Sequence, residues 1–175
     1  GAATSFIAAL GADPLAAGAR TLAAAEGIDG RFETIADTAT GAAGILVDHE
    51  GRNSIVVALG ANARLSVAHV EAQTTAFRDA AVVLAPLESP LAAVLAALRR
   101  GRAAGARTVL NPAPMHAGLD ATALSDVDLI TPNETETAQL LARFGAPGID
   151  PTQLHSQADE ALAALCAHLP VPAVL

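Results

Sequence analysis

The chain has 175 residues and a formal net charge of −8, from 10 basic against 18 acidic side chains, and every basic one is arginine. Without lysine, neither a G-x-x-x-x-G-K-[ST] phosphate loop nor a Schiff-base lysine exists within these residues. The acidic balance, with only four Phe and no Trp or Tyr, argues against nucleic-acid binding, which draws on cationic grooves and aromatic platforms.

Short apolar runs alternate with amphipathic stretches along the chain. Residues 5–10 read as a buried strand, followed by a helix over 15–25 with Asp13 placed to cap it and Pro14 at its first position. Gly27 and Gly30 end that helix. Residues 31–36, 43–47 and 54–59 read as three short strands, joined by turns at Thr38-Ala39-Thr40-Gly41 and at Asp48 to Asn53. They are expected to form a small antiparallel insertion. A helix over 66–77 follows, with Ser66 as its cap, then a strand at 81–84. A helix over 90–104 is stopped by Gly105. Strands are expected at 107–110 and 128–130, helices at 133–144 and 152–169, and a last strand at 171–175. Repeated strand–helix units predict parallel strands with helices on both faces, hence an α/β fold.

Hydrophobic residues make up 52% of the chain, enough for a sizeable core, while charged ones are only 16%, so either extra surface is expected to be buried or part of the surface to meet something beyond these residues. No apolar run reaches the ~18–20 residues of a membrane span. Cys166 is the only cysteine, which excludes an internal disulfide and fits a reducing cytoplasm; an inert buried thiol is expected. The chain opens at Gly1 directly before an apolar strand and closes on an apolar Pro-Val-Pro-Ala-Val-Leu175, so it is expected to be an internal piece of a longer protein.

In a parallel α/β sheet, ligands bind beyond the carboxyl ends of the strands. The residues there are Asp13, Leu87-Glu88-Ser89, Asn111-Pro112-Ala113-Pro114 and Thr131-Pro132-Asn133-Glu134-Thr135-Glu136. At such a rim the Glu88 carboxylate can accept hydrogen bonds from polyol hydroxyls; it can equally be a solvated loop charge. Asn133 and Glu136, three apart at a helix start, form the pattern of a capping box. The same amide and carboxylate could also hold a hydrated Mg²⁺ where a helix N-terminus attracts phosphate. His116, in the rigid loop after Asn111, could serve as an acid or base or lie in solvent. The other histidines lack metal-ligand spacing, so zinc is not expected. No G-x-G-x-x-G follows a strand, which disfavours a dinucleotide-dependent oxidoreductase.

Taken in order, a set of segments resembles the ribokinase/PfkB family of sugar kinases over essentially the whole chain. They are Thr40-Gly41, Ile45-Leu46-Val47-Asp48, Gly51-Arg52-Asn53-Ser54-Ile55, Gly60-Ala61-Asn62, Leu87-Glu88-Ser89-Pro90, Asn111-Pro112-Ala113-Pro114 and Ile130-Thr131-Pro132-Asn133-Glu134-Thr135-Glu136. Each segment alone is weak and the ordered set is specific. The last three together are more similar to the ribokinase branch than to fructokinases or adenosine kinases.

The resemblance implies a Rossmann-like three-layer α/β/α sandwich with a small antiparallel β lid. Residues 1–30 and 63–175 would belong to the core and 31–62 to the lid. It implies ATP-dependent phosphorylation of D-ribose at its 5-hydroxyl by the intact enzyme. It further implies that Glu88 binds sugar hydroxyls, that Ala43 and Ile45 close over the sugar, and that Asn133 and Glu136 organise Mg²⁺ and the nucleotide phosphates. A monovalent cation such as K⁺, a homodimer formed through the lid and a cytoplasmic location belong to the same implication. The family's catalytic Asp lies in a Gly-Ala-Gly-Asp motif that these residues do not contain, so no catalytic base is assigned here. Two alternatives stand beside this reading: another sugar or nucleoside kinase of the same family, or a non-catalytic module for sugar binding or dimerisation.

Overall fold

The computed structural model describes residues 2–175, so Gly1, at the start of the expected core portion, lies outside the described residues. The fold is α/β, as expected. Two compact units are present. One comprises residues up to Ala76 together with Glu88–Ala93, the other Phe77–Leu87 with Val94–Leu175.

The first unit opens with strand β1 (Ser5–Gly11), which buries its carboxyl end through Ala9 and Leu10. Helix α1 (Pro14–Ala25) begins as the sequence dictates: Asp13 accepts the Ala16 N–H at 2.9 Å and Pro14 occupies the first turn. Gly27, at φ +68°, turns the chain out of the helix. Strand β2 (Asp29–Ile35) then pairs parallel to β1, from Ser5 opposite Asp29 to Gly11 opposite Ile35. This corrects the expectation that residues 31–36 join an antiparallel insertion. The 12-residue helix between β1 and β2 supplies the crossover that a parallel pair requires.

The antiparallel pairing is confined to β3 (Ala42–Val47) and β4 (Asn53–Ala58). Their turn is closed by Asp48, whose carboxylate accepts from the Glu50 and Arg52 N–H groups and from Arg52 Nε at 2.8 Å, with Gly51 at φ +80°. A 3-10 turn (Gly60–Arg64) leads back from the hairpin. The single helix expected over 66–77 is two short ones, α2 (Val67–Ala72) and α3 (Thr74–Arg78), broken at Gln73 with ψ 43°. Ser66 caps α2 as expected, donating its own hydroxyl to Glu33 of β2 at 2.8 Å.

In the second unit β5 (Val82–Pro86), β6 (Arg107–Asn111) and β7 (Leu129–Ile130) form a parallel sheet in that order. Helix α4 (Leu91–Ala103) connects β5 to β6 and ends near Gly105, at φ +85°. Leu98, Leu110, Leu119, Leu124, Ile130 and Leu140 are fully buried and form the core, so leucine supplies the volume that alanine cannot. Fully buried Thr108 joins β6 to β7: its N–H and hydroxyl both donate to Asp128, which Arg102 also pairs at 2.8 Å.

Helix α5 (Glu134–Arg143) follows β7. The helix expected over 152–169 is a 3-10 turn (Pro151–Ser156) and a separate helix α6 (Asp159–Cys166), because Gln157 and Ala158 are extended, at ψ 148° and 150°. Residues 171–175 make a single bridge, Val174 to Ile130, rather than a strand. Pro170 and Pro172 have no N–H to extend a ladder. Cys166 is half-buried, and burial pushes its thiol up from the usual range, which leaves it a poor nucleophile. Among the described residues no helix is long and apolar enough to cross a membrane.

Candidate functional site

Three groups of side chains occupy the positions expected to carry chemistry. Glu88 follows β5 in the turn before α4 and is exposed. The preceding residue is fixed by packing and by hydrogen bonding. Leu87 is buried, and its N–H donates to the Ala113 carbonyl at 2.9 Å. Glu88 therefore sits on an anchored rim with its carboxylate in solvent, able to accept hydroxyl hydrogen bonds from a ligand.

Asn133 and Glu136 contact each other closely. Asn133 Oδ1 accepts the Glu136 N–H at 2.9 Å, while Glu136 Oε2 accepts the Asn133 N–H at 3.0 Å. Asn133 Nδ2 also donates to Glu136 Oε1 at 3.1 Å. Both halves of a capping box are made, and Glu136 is only 8% exposed. Each carboxylate oxygen already has a protein donor, yet each keeps a further lone pair. Hard oxygen donors of this kind suit a Mg²⁺ that keeps most of its waters and takes phosphate oxygens as ligands. They do not amount to an all-protein cage. Among the described residues, no group of three or more His, Cys, Asp or Glu is arranged to hold a metal ion.

Ala43 and Ile45 lie two apart on β3, so their side chains share one face of the ribbon, opposite Val57 and Ile55 on β4. The ribbon is apolar and open: Ile45 is 61% exposed and Val56 70%. Glu88, Ala43 and Ile45 fall in the first compact unit, and Asn133 with Glu136 in the second.

His116 is an exposed turn residue whose Nδ1 accepts the Gly118 N–H at 3.0 Å. Asn111 Oδ1 accepts the Ala113 N–H at 3.1 Å, which orients its own loop. Two sets of contacts were not foreseen. Arg143, in the last turn of α5, donates Nη1 to the carbonyls of His116, Ala117 and Leu119 at 2.8–3.0 Å and holds that loop in place. Asp13, expected as a helix cap on the strand-exit rim, also accepts from Thr40, 27 residues further along. Local spacing carries no sign of either contact.

Residues 1–170 match the profile of the pfkB family carbohydrate kinase. A ribokinase of Haemophilus influenzae is 39% identical over 137 residues, covering 78% of this chain and 44% of that protein. A deoxyribokinase of Salmonella typhi is 33% identical over 104 residues, covering 59% of this chain and 34% of that protein. Among solved structures, a ribokinase from Giardia lamblia superposes with a TM-score of 0.77 at 28% identity, over 98% of this chain and 52% of that one. The chain thus spans about half the length of the relatives it matches.

Proposed function

The chain belongs to the pfkB family of carbohydrate kinases, and on that premise we propose that the protein carrying it transfers the γ-phosphoryl group of ATP to the 5-hydroxyl of D-ribose. The observation that carries the reading is Glu88: an exposed carboxylate on an anchored strand exit, of the kind that binds vicinal hydroxyls. In this reading Glu88 accepts two sugar hydroxyls and fixes the orientation of the ring. The apolar face of β3, with Ala43 and Ile45, covers the sugar and keeps water from competing for the phosphoryl group.

Asn133 and Glu136 serve the phosphate end. The capping box keeps their oxygens at the N-terminus of α5, where phosphate is favoured. Mg²⁺, when bound there through water, would neutralise phosphate charge. Phosphoryl transfer of this type depends mainly on positioning and charge stabilisation, and positioning is what these residues offer. A cytoplasmic location and a homodimer formed through the exposed β3–β4 ribbon complete the proposal. Its support is Leu46 and Val56, open to solvent on the face of the two-stranded ribbon opposite Ala43 and Ile45.

The deoxyribokinase relative supports a second reading, in which the sugar lacks the 2-hydroxyl. Phosphorylation assays of the whole protein with ribose, 2-deoxyribose and fructose separate the readings. A kcat/KM highest for ribose and sharply lowered by Glu88→Ala is expected. Equal turnover of ribose and 2-deoxyribose would reject ribose specificity, and sugar binding without phosphoryl transfer would reject the kinase.

A further inference from the structure

The β3–β4 ribbon is exposed along its length, yet its root is tightly held. Asp13 accepts the Thr40 N–H at Oδ2 (2.7 Å) and the Thr40 hydroxyl at Oδ1 (2.9 Å). The same Thr40 oxygen accepts the Gly11 N–H at 2.9 Å. One threonine two residues before β3 is thereby tied to the end of β1 and, through Asp13, to the first turn of α1. The closeness is enforced by glycine: a Cβ on Gly11 would lie 2.6 Å from both Thr38 O and Thr40 N. The returning strand is held to the same place. The Ala61 N–H donates to the Ala39 carbonyl at 2.8 Å, Ala61 is fully buried, and Gly60 takes φ +51° against Ala39.

We infer that Asp13 is a positioning residue: with Thr40 it anchors the root of the β3–β4 ribbon and so sets where the face bearing Ala43 and Ile45 lies. The inference rests on the sugar-covering reading of that face only for its effect on affinity, not for the anchor itself. As a mere cap, Asp13 would need one oxygen, for the Ala16 N–H. Its second oxygen and the Thr40 hydroxyl have no part in capping α1.

The test uses substitutions that spare the cap. Asp13→Asn keeps an oxygen for Ala16, since Asn caps as well as Asp, but turns an amide toward the Thr40 N–H. Thr40→Val leaves Asp13 untouched and removes the hydroxyl. Thr40→Ser restores it. Amide exchange in residues 38–41 and 59–61 and along β3–β4 is expected to rise roughly tenfold in Asp13→Asn and Thr40→Val, as loss of such a tie implies. Exchange within α1 should stay unchanged, and Thr40→Ser should match the parent. In the whole protein, the first two variants should raise the sugar KM several-fold and leave the KM for ATP alone.

Faster exchange confined to α1, or none, would overturn the anchor. Faster exchange at the root with an unaltered sugar KM, while Glu88→Ala raises that KM, would overturn the positioning role. If Glu88→Ala also leaves the sugar KM unchanged, the sugar reading falls, and exchange at the root still decides the anchor.

Discussion

Glu88 and Glu136 are both glutamates near the start of a helix after a parallel strand, and their surroundings are opposite. Glu88 is exposed on a rim whose backbone is fixed, with its carboxylate left to solvent. Glu136 is 8% exposed, and each of its oxygens already accepts from Asn133. A carboxylate that has given none of its hydrogen bonds to the fold can give them all to a ligand. One that closes a capping box serves the fold first and reaches a ligand only with its remaining lone pairs.

The contrast is tested most strongly at Glu88. Glu88→Ala should raise the sugar KM roughly 10–100-fold, the effect of losing hydrogen bonds to a charged acceptor. It should shift unfolding stability by no more than ~0.5 kcal/mol, the range of exposed sites. Thermal melts beside steady-state kinetics check both halves, and a destabilised Glu88→Ala would erase the distinction. Glu136→Ala should behave in reverse, losing about 1 kcal/mol of stability as the box opens, measurable by urea unfolding.

Glu136→Gln sharpens the comparison, because Gln can still close the box. Its stability should fall by only a few tenths of a kcal/mol, within the ~0.5 kcal/mol of minor substitutions, while the Mg²⁺ concentration for half-maximal activity rises. An unchanged Mg²⁺ titration would remove Glu136 from the metal's surroundings.

The smallest effect concerns a carboxylate wholly committed to the fold. The Thr108 backbone N–H, more than the Thr108 hydroxyl or Arg102, holds Asp128 below the usual carboxylate value of 3.8, against a smaller opposing effect of burial. A depressed folded-state value contributes stability that is present above pH 3.8 and is lost as pH falls through it. Melting temperature should therefore drop in acid below that point. Asp128→Asn should flatten this acid limb, which melts across a pH series would show.

Features set by neighbours in sequence were legible; those set by distant partners were not. The capping box at Asn133 and Glu136, the Asp13 and Ser66 caps and the turn at Asp48 to Asn53 depend on atoms a few residues apart, and all form. The pairing of β2 depends on which distant edge it meets, and its short run of mixed residues carries no mark of a parallel partner. The breaks at Gln73 and at Gln157 fall inside apolar patterns that suit a continuous helix, so hydrophobic spacing concealed them. In the candidate site, the positions of Glu88, Asn133 and Glu136 beyond strand ends followed from the alternating pattern. The saturation of Glu136 by Asn133 and the tie from Asp13 to Thr40 are matters of geometry.

The open apolar ribbon belongs to a chain of net charge −8. Two such copies repel through water before their ribbons can meet, and that repulsion is screened over about 10 Å at 0.1 M salt. Apolar contact is not weakened by the same ions. Were the proposed pairing through β3 and β4 to form, ionic strength would govern it: dilute buffer would keep the copies apart, and added salt would favour their contact.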